Sequence, residues 1–270
     1  MQFDREGLLK STLFFPLHTA IARLGAEAFP TLDDLNALLS DRKPSVQSGR
    51  ALKFVLPGFR STFEEQYEPR CYLAGEVETR VNNWHDLFNA LVWLTFPKTK
   101  AVINARHYRA LNGADGRAGR GELRDTNTLL DESGVIVAYC DESLAELLRN
   151  FHWRELFWQH REQVKNSMSF YIFGHGLYEK AMQPYVGMTG HGLLIKVEQA
   201  FFSLPIDRQT EHLDDRMAMH LIEQGKNTRE LAPVPLLGMP GWTADNECSS
   251  YYDNTAYFRP GRRSVGKPQL

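Results

Sequence analysis

The segment from Asn83 to Leu94 carries apolar side chains around almost the whole helical circle. Stepped at about 100° per residue, Trp84, Leu87, Phe88, Ala90, Leu91, Val92 and Leu94 leave a narrow polar stripe of His85, Asp86 and Asn89, with Trp93 beside it. A helix apolar over that much of its surface is a buried one. The stripe therefore faces the interior, and buried polar groups need partners there. Asn82 or Asn83 predicts the N-cap, and Asp86 puts a negative charge in the first turn, where the helix dipole favours it. Pro97 can open a second helix but cannot sit inside one. From Lys98 onward, Ile103, Asn104, His107, Tyr108 and Leu111 share one face, so Asn104 and His107 are expected to point inward too.

The rest of the chain predicts shorter elements. Thr31–Leu39 reads as a helix capped by Thr31, with Asp33 and Asp34 in its first turn. Residues 52–56 form a strand stopped by Pro57-Gly58, and 67–80 reads as irregular. Residues 123–132 give a turn or two of helix before Gly134, 135–139 a strand, and 141–150 a helix capped by Asp141. Residues 153–165 form an aromatic-rich helix. Residues 167–182 form another, with Met168, Tyr171, Ile172, His175, Tyr178, Glu179 and Met182 on its inner stripe. Gly174 and Gly176 weaken that helix, which implies close contact with a neighbour. Residues 192–197 give a third strand. Residues 207–223 form an amphipathic helix with Leu213, Met217, Leu221 and Ile222 inward, the proline-rich 231–241 runs extended, and 261–270 is a disordered tail. The expectation is an α+β fold: one mainly helical domain over 1–270, with one small sheet from the segments near 52–56, 135–139 and 192–197.

Composition narrows the function classes. With 270 residues, 43% of them hydrophobic, the chain can bury a sizeable core. A net charge of −2 implies no broad basic surface, so nucleic acid is not an expected partner. Cys71, Cys140 and Cys248 are far apart and odd in number, with neither a disulfide framework nor zinc spacing. A reducing cytoplasm is the matching compartment. Asp4, Arg5, Glu6 and Lys10 flank the apolar run Leu13-Phe14-Phe15, unlike a signal peptide, and no run has the length of a membrane span. Gly113, Gly116, Gly119 and Gly121 lack the lysine-threonine and strand–helix context of a phosphate cradle, so this stretch reads as a mobile loop. Cys140 has no assignable base and reads as a plain buried cysteine.

The candidate chemistry lies in histidines and carboxylates at helical spacing. His85 and Asn89 are four apart, as are His175 and Glu179. A histidine and a carboxylate so spaced lie on one face and can share a divalent metal ion. The candidate ligands are His85, Asp86, His175 and Glu179, with His107, Asp125, Asp131 and Glu132 able to complete the shell, in a site lined by Asn89, Asn104, His107 and Asp125. Asp131 or Glu132 would be the general base, and Arg124 or Arg161 would hold an anionic group. Arg70 and Arg80 could add to such an anion site, or pair structurally with carboxylates such as Glu68. The alternative for the whole stripe is a hydrogen-bond network that fixes helix register without any metal.

Several strings are also familiar together: Asn-Trp-His-Asp-Leu-Phe-Asn-Ala-Leu, Asn-Ala-Arg-His, Leu-Leu-Asp-Glu-Ser-Gly, Phe-Gly-His-Gly-Leu-Tyr-Glu-Lys, Leu-Gly-Met-Pro-Gly-Trp and Phe-Arg-Pro. From about Tyr67 to Pro260 the chain resembles a proteobacterial family of unknown function. The resemblance implies a bacterial, single-domain protein and no particular activity. The expectation from the residues is then a cytoplasmic metal-dependent hydrolase acting on a small anionic molecule. Its rival is a non-catalytic binding or scaffold protein.

Overall fold

The computed structural model describes residues 3–26, 28–113, 120–223 and 230–261, and for 120–125 the backbone alone. The chain is a mainly helical α+β protein. Its N-terminal arm holds α1 (Arg5–Lys10), a 3-10 stretch and α2 (His18–Ile21), and lays Leu13, Phe14, Leu17 and Ile21 into the core. In α3 (Leu32–Leu39), Thr31 and Asp34 form a reciprocal capping box. β1 (Lys53–Val55), α4 (Tyr67–Ala74) and β2 (Glu76–Glu78) follow, and the two strands pair in parallel with Phe54 opposite Val77.

Next come α5 (Trp84–Thr95) and α6 (Pro97–Leu111). The Asn83 side chain accepts from the Asp86 backbone N–H, and Pro97 stands at the start of α6. α7 (Arg120–Ser133) runs straight into β3 (Gly134–Tyr139). α8 (Glu142–Arg149) is capped by Asp141, and a π-helical turn leads into α9 (Arg161–Ser167) and β4 (Met168–Ile172). α10 (His175–Ala181), β5 (Thr189–Lys196), α11 (Ile206–Glu223) and β6 (Ala232–Pro235) complete the order. The larger sheet runs β4-β3-β5-β6, antiparallel except for the parallel β3–β5 pair. Every residue of β3 is buried, as suits a central strand covered on both faces. The buried apolar side chains form one continuous cluster.

Four expectations change. The segment near 52–56 pairs with β2 in a sheet of its own instead of joining the other strands. Residues 67–80, expected to be irregular, form α4 and β2. Residues 167–182 are a strand followed by a helix. Met168 to Phe173 is rich in aromatic and branched residues that suit a pleated surface, and the helical spacing of Tyr171, His175 and Tyr178 spans the break. Ile222 is exposed on the outer face of α11. Residues 114–119, most of the glycine-rich stretch, and 262–270 of the tail lie outside the described residues. Among the described residues no helix is long and apolar enough to cross a membrane.

One junction positions the site. The backbone N–H groups of Phe173 and Gly174 both donate to the Gly134 carbonyl at 2.9 Å. A Cβ on Gly174 would stand 2.4 Å from the Ser133 nitrogen, and one on Gly176 would stand 2.6 Å from Glu132 Oε2 and 2.9 Å from the Glu132 carbonyl. Only glycine lets the start of α10 pass this close to the end of α7. The close contact expected at these two glycines is present, although one of them precedes the helix.

Candidate metal centre

The junction sets Asp131 and Glu132, at the end of α7, beside His175 and Glu179 on α10. α5 packs on α10 and brings His85 to the same point. His85 Nε2 and His175 Nε2 are 3.0 Å apart, with the rings at 73°. Glu132 Oε1 lies 3.5 Å from His175 Nε2. His85, Glu132 and His175 each place one ligand atom within 4.8 Å of the others. Two ligand atoms about 2.0–2.1 Å from a four-coordinate ion sit about 3.3 Å apart. The spacing of the two imidazoles therefore fits a shared cation.

The outer nitrogens point to carboxylates. Glu179 Oε2 is 3.0 Å from His85 Nδ1, and Asp131 Oδ2 is 3.9 Å from His175 Nδ1. A carboxylate accepts, so the His85 proton belongs on Nδ1 and its Nε2 presents a lone pair. If His175 donates from Nε2 to that lone pair, its bare Nδ1 faces the Asp131 carboxylate without a donor. If His175 carries its proton on Nδ1 instead, two lone pairs meet at 3.0 Å with Glu132 beside them. Both neutral arrangements are unfavourable. Positive charge between the rings resolves them, either as a metal ion or as an added proton. Protonating His175 itself is hard, because burial pushes its pKa down to about 4 despite the Asp131 carboxylate nearby.

A second layer backs the pair. Lys100 on α6 is 3% exposed and forms an ion pair with Asp131. Its Nζ also donates to Asn89 Oδ1 at 2.8 Å, and Asn89 Nδ2 donates to the Tyr67 hydroxyl at 2.9 Å. Burial works against an ionised Asp131, but Lys100 and His175 outweigh it and hold the carboxyl below its ordinary range. Burial raises Glu132, and Asp131 adds to that rise against the opposing pull of His85. A cleft of about 200 Å³ opens beside this group, lined by Glu68, His107, Leu111, Thr128, Asp131 and Glu132. Asn104 Nδ2 donates to Glu68 Oε2 at 2.6 Å and to the Glu68 carbonyl at 3.0 Å. Burial pushes the Glu68 carboxyl up to about 7 against that bond and the Lys100 charge.

Of the expected ligands, His85 and His175 meet, although His85 is half-buried where full burial was expected. Glu179 braces His85 from outside. Asp86 does not belong to the centre, because Arg80 takes both its oxygens: Nε and the backbone N–H reach Oδ2 at 2.8 and 2.7 Å, and Nη2 reaches Oδ1 at 2.8 Å. Glu132, expected as a base or as a further ligand, places a carboxyl oxygen near both histidines. Arg161 is held elsewhere, by the Asn246 carbonyl at 3.2 Å and by Glu247. Arg70 pairs with Glu76 and Glu78. The side chains of Arg124 and Asp125 lie outside the described residues. Asn89, Asn104 and His107 do border the centre or its cleft.

Lys100 has no place among the residues singled out from the sequence, and Glu68 stands there only as a structural partner for arginines. Lys100 was legible in the sequence, since it precedes Ile103, Asn104 and His107 by three, four and seven residues on the face already identified. Glu68 had no such signal, because no periodic pattern marks α4. The chain matches, over residues 52–262, the family described as Protein of unknown function (DUF3025), and it belongs to that family. No curated protein and no solved structure matches it.

Proposed function

We propose that this protein binds one divalent transition-metal ion through His85, His175 and Glu132 and uses it to hydrolyse a small molecule held in the adjoining cleft. The observation that carries the reading is the pair of Nε2 atoms at 3.0 Å with a carboxylate on the outer side of each ring. A carboxylate bonded to the outer nitrogen orients a histidine ligand, fixes its tautomer and raises the basicity of the binding nitrogen; Glu179 does so for His85, and Asp131 stands 3.9 Å from the unpartnered Nδ1 of His175. Nitrogen and oxygen donors in this proportion suit zinc, iron or manganese. Three protein ligands leave a position open, and an ion there would acidify a water and polarise an oxygen of the substrate. With Arg161 committed elsewhere, an anionic or carbonyl oxygen would meet the ion itself.

The rival is a structural network in which an extra proton, shared between the rings, takes the place of the ion. It is favoured by the continuous hydrogen-bonded chain from Tyr67 through Asn89 and Lys100 to Asp131. Metal analysis separates the two. Protein purified without chelators and then dialysed should retain about one equivalent of metal, and His175→Ala should retain none. A wild-type protein that holds no metal after incubation with zinc, manganese or iron(II) would leave the structural network as the account.

A further inference from the structure

The hydrolytic reading leaves one role without a residue. Glu132 stands among the ion's ligands and Asp131 is tied to Lys100. Neither is free to take a proton from an attacking water. Glu68 is placed to do so. It stands on α4, which carries none of the ion's ligands, and it lines the cleft with Asp131 and Glu132. Asn104, 3% exposed, grips it twice, at the backbone carbonyl and at Oε2. Among the described residues no hydrogen bond occupies its other carboxyl oxygen and no cation forms an ion pair with it. Asp86, Glu76, Glu78 and Asp131 each hold one. The charged and titratable groups around it are Lys100 and His107 on α6, Asp131 and Glu132 on α7, and Tyr67 and Cys71 on its own helix. A fixed carboxyl that ionises near neutrality, as Glu68 does, can both accept and return a proton.

We infer that Glu68 is the general acid–base residue for hydrolysis of a small ester or amide in this cleft. The inference rests on the proposed ion. A neutral acyl group suits a pocket of about 200 Å³ whose described walls bring three carboxyl groups and no arginine. In the reaction the Glu68 carboxylate takes one proton from water, and the water oxygen bonds to the acyl carbon. The bond from that carbon to the ester oxygen or amide nitrogen breaks, and the leaving atom receives the proton from Glu68. The water ends divided between acid and alcohol or amine, and Glu68 is restored.

Acetohydroxamic acid tests the inference, because it can place two oxygens on an ion and pass its hydroxyl proton to a neighbouring carboxylate. Zinc-loaded wild type should bind it in calorimetry at neutral pH. Glu68→Gln should hold the same zinc but bind the hydroxamate about tenfold more weakly or worse, with Glu68→Asp intermediate. Equal zinc content is the control for folding, and Glu68→Ala serves if the glutamine variant misfolds. Equal hydroxamate affinity in wild type and variants overturns the role of Glu68. So does zinc-loaded wild type that ignores the compound, since the cleft then does not open onto the ion. A wild type that takes no zinc overturns the ion, and this role with it.

Discussion

Asp131 does two things at once: its carboxylate neutralises the buried Lys100 ammonium and faces His175 Nδ1 at 3.9 Å. Asp131→Asn keeps the shape and removes the charge. Zinc affinity should fall about 10–100-fold, the usual effect of losing a carboxylate behind a histidine ligand. The variant should also lose stability, since a buried ammonium without its partner costs about 3–5 kcal/mol. Adding Lys100→Met should recover stability but not affinity, and affinity unchanged in Asp131→Asn would remove this carboxylate from the metal account. Glu68 gives a separate signature. Its carboxyl is raised from an ordinary 4.5 to about 7 by burial, so the folded chain holds the proton more tightly than the unfolded one. Its contribution to stability is full below about 4.5 and is lost as pH rises through about 7, by roughly 3 kcal/mol at most. Buried Asp214, raised to about 6, adds to this decline, and His175, lowered to about 4, opposes it. The signature of Glu68 is therefore the difference between the wild-type and Glu68→Gln denaturant profiles from pH 4.5 to 8, which should fall with pH, and an identical profile in both would argue against burial of that carboxyl.

At the scale of elements, the sequence exposes what obeys a period and conceals what depends on approach. α5 was legible because its apolar faces leave a stripe only three polar residues wide, and α3 and α8 because Thr31 and Asp141 mark their starts. The β4–α10 corner was not legible, since a strand and a helix in succession happened to keep helical spacing through Tyr171, His175 and Tyr178. Gly174 and Gly176 hold the information there. Their role is tertiary, because what each excludes is the backbone or side chain of residues some forty positions earlier. Gly176→Ala should therefore act on the site. Its Cβ would lie 2.6 Å from Glu132 Oε2 and 2.9 Å from the Glu132 carbonyl, and the backbone cannot yield as cheaply as the side chain. Overpacking of this kind costs about 1–3 kcal/mol, and zinc affinity should fall with it. A variant with wild-type melting temperature and zinc affinity would show that α10 stands further from α7.

At the scale of the whole molecule, one continuous core brings α4, α5, α6, α7 and α10 to a single polar centre. Isolated buried charges are unfavourable in such a core, so polar stripes from different helices meet. On this ground the sequence already joins His85 to His175. Asp86 stands apart from them, because the neighbour that claims it, Arg80, lies just ahead of α5 and no helical spacing links the two. Glu132, readable from the sequence as a base or as a further ligand, comes near the histidines because α7 ends against the glycines of α10. X-ray absorption on protein loaded with one equivalent of zinc reads directly which groups surround the proposed ion. The account predicts two imidazole nitrogens at about 2.0–2.1 Å with oxygen completing a four-coordinate shell. A sulfur shell from Cys71, Cys140 or Cys248, or a spectrum without imidazole, would contradict it.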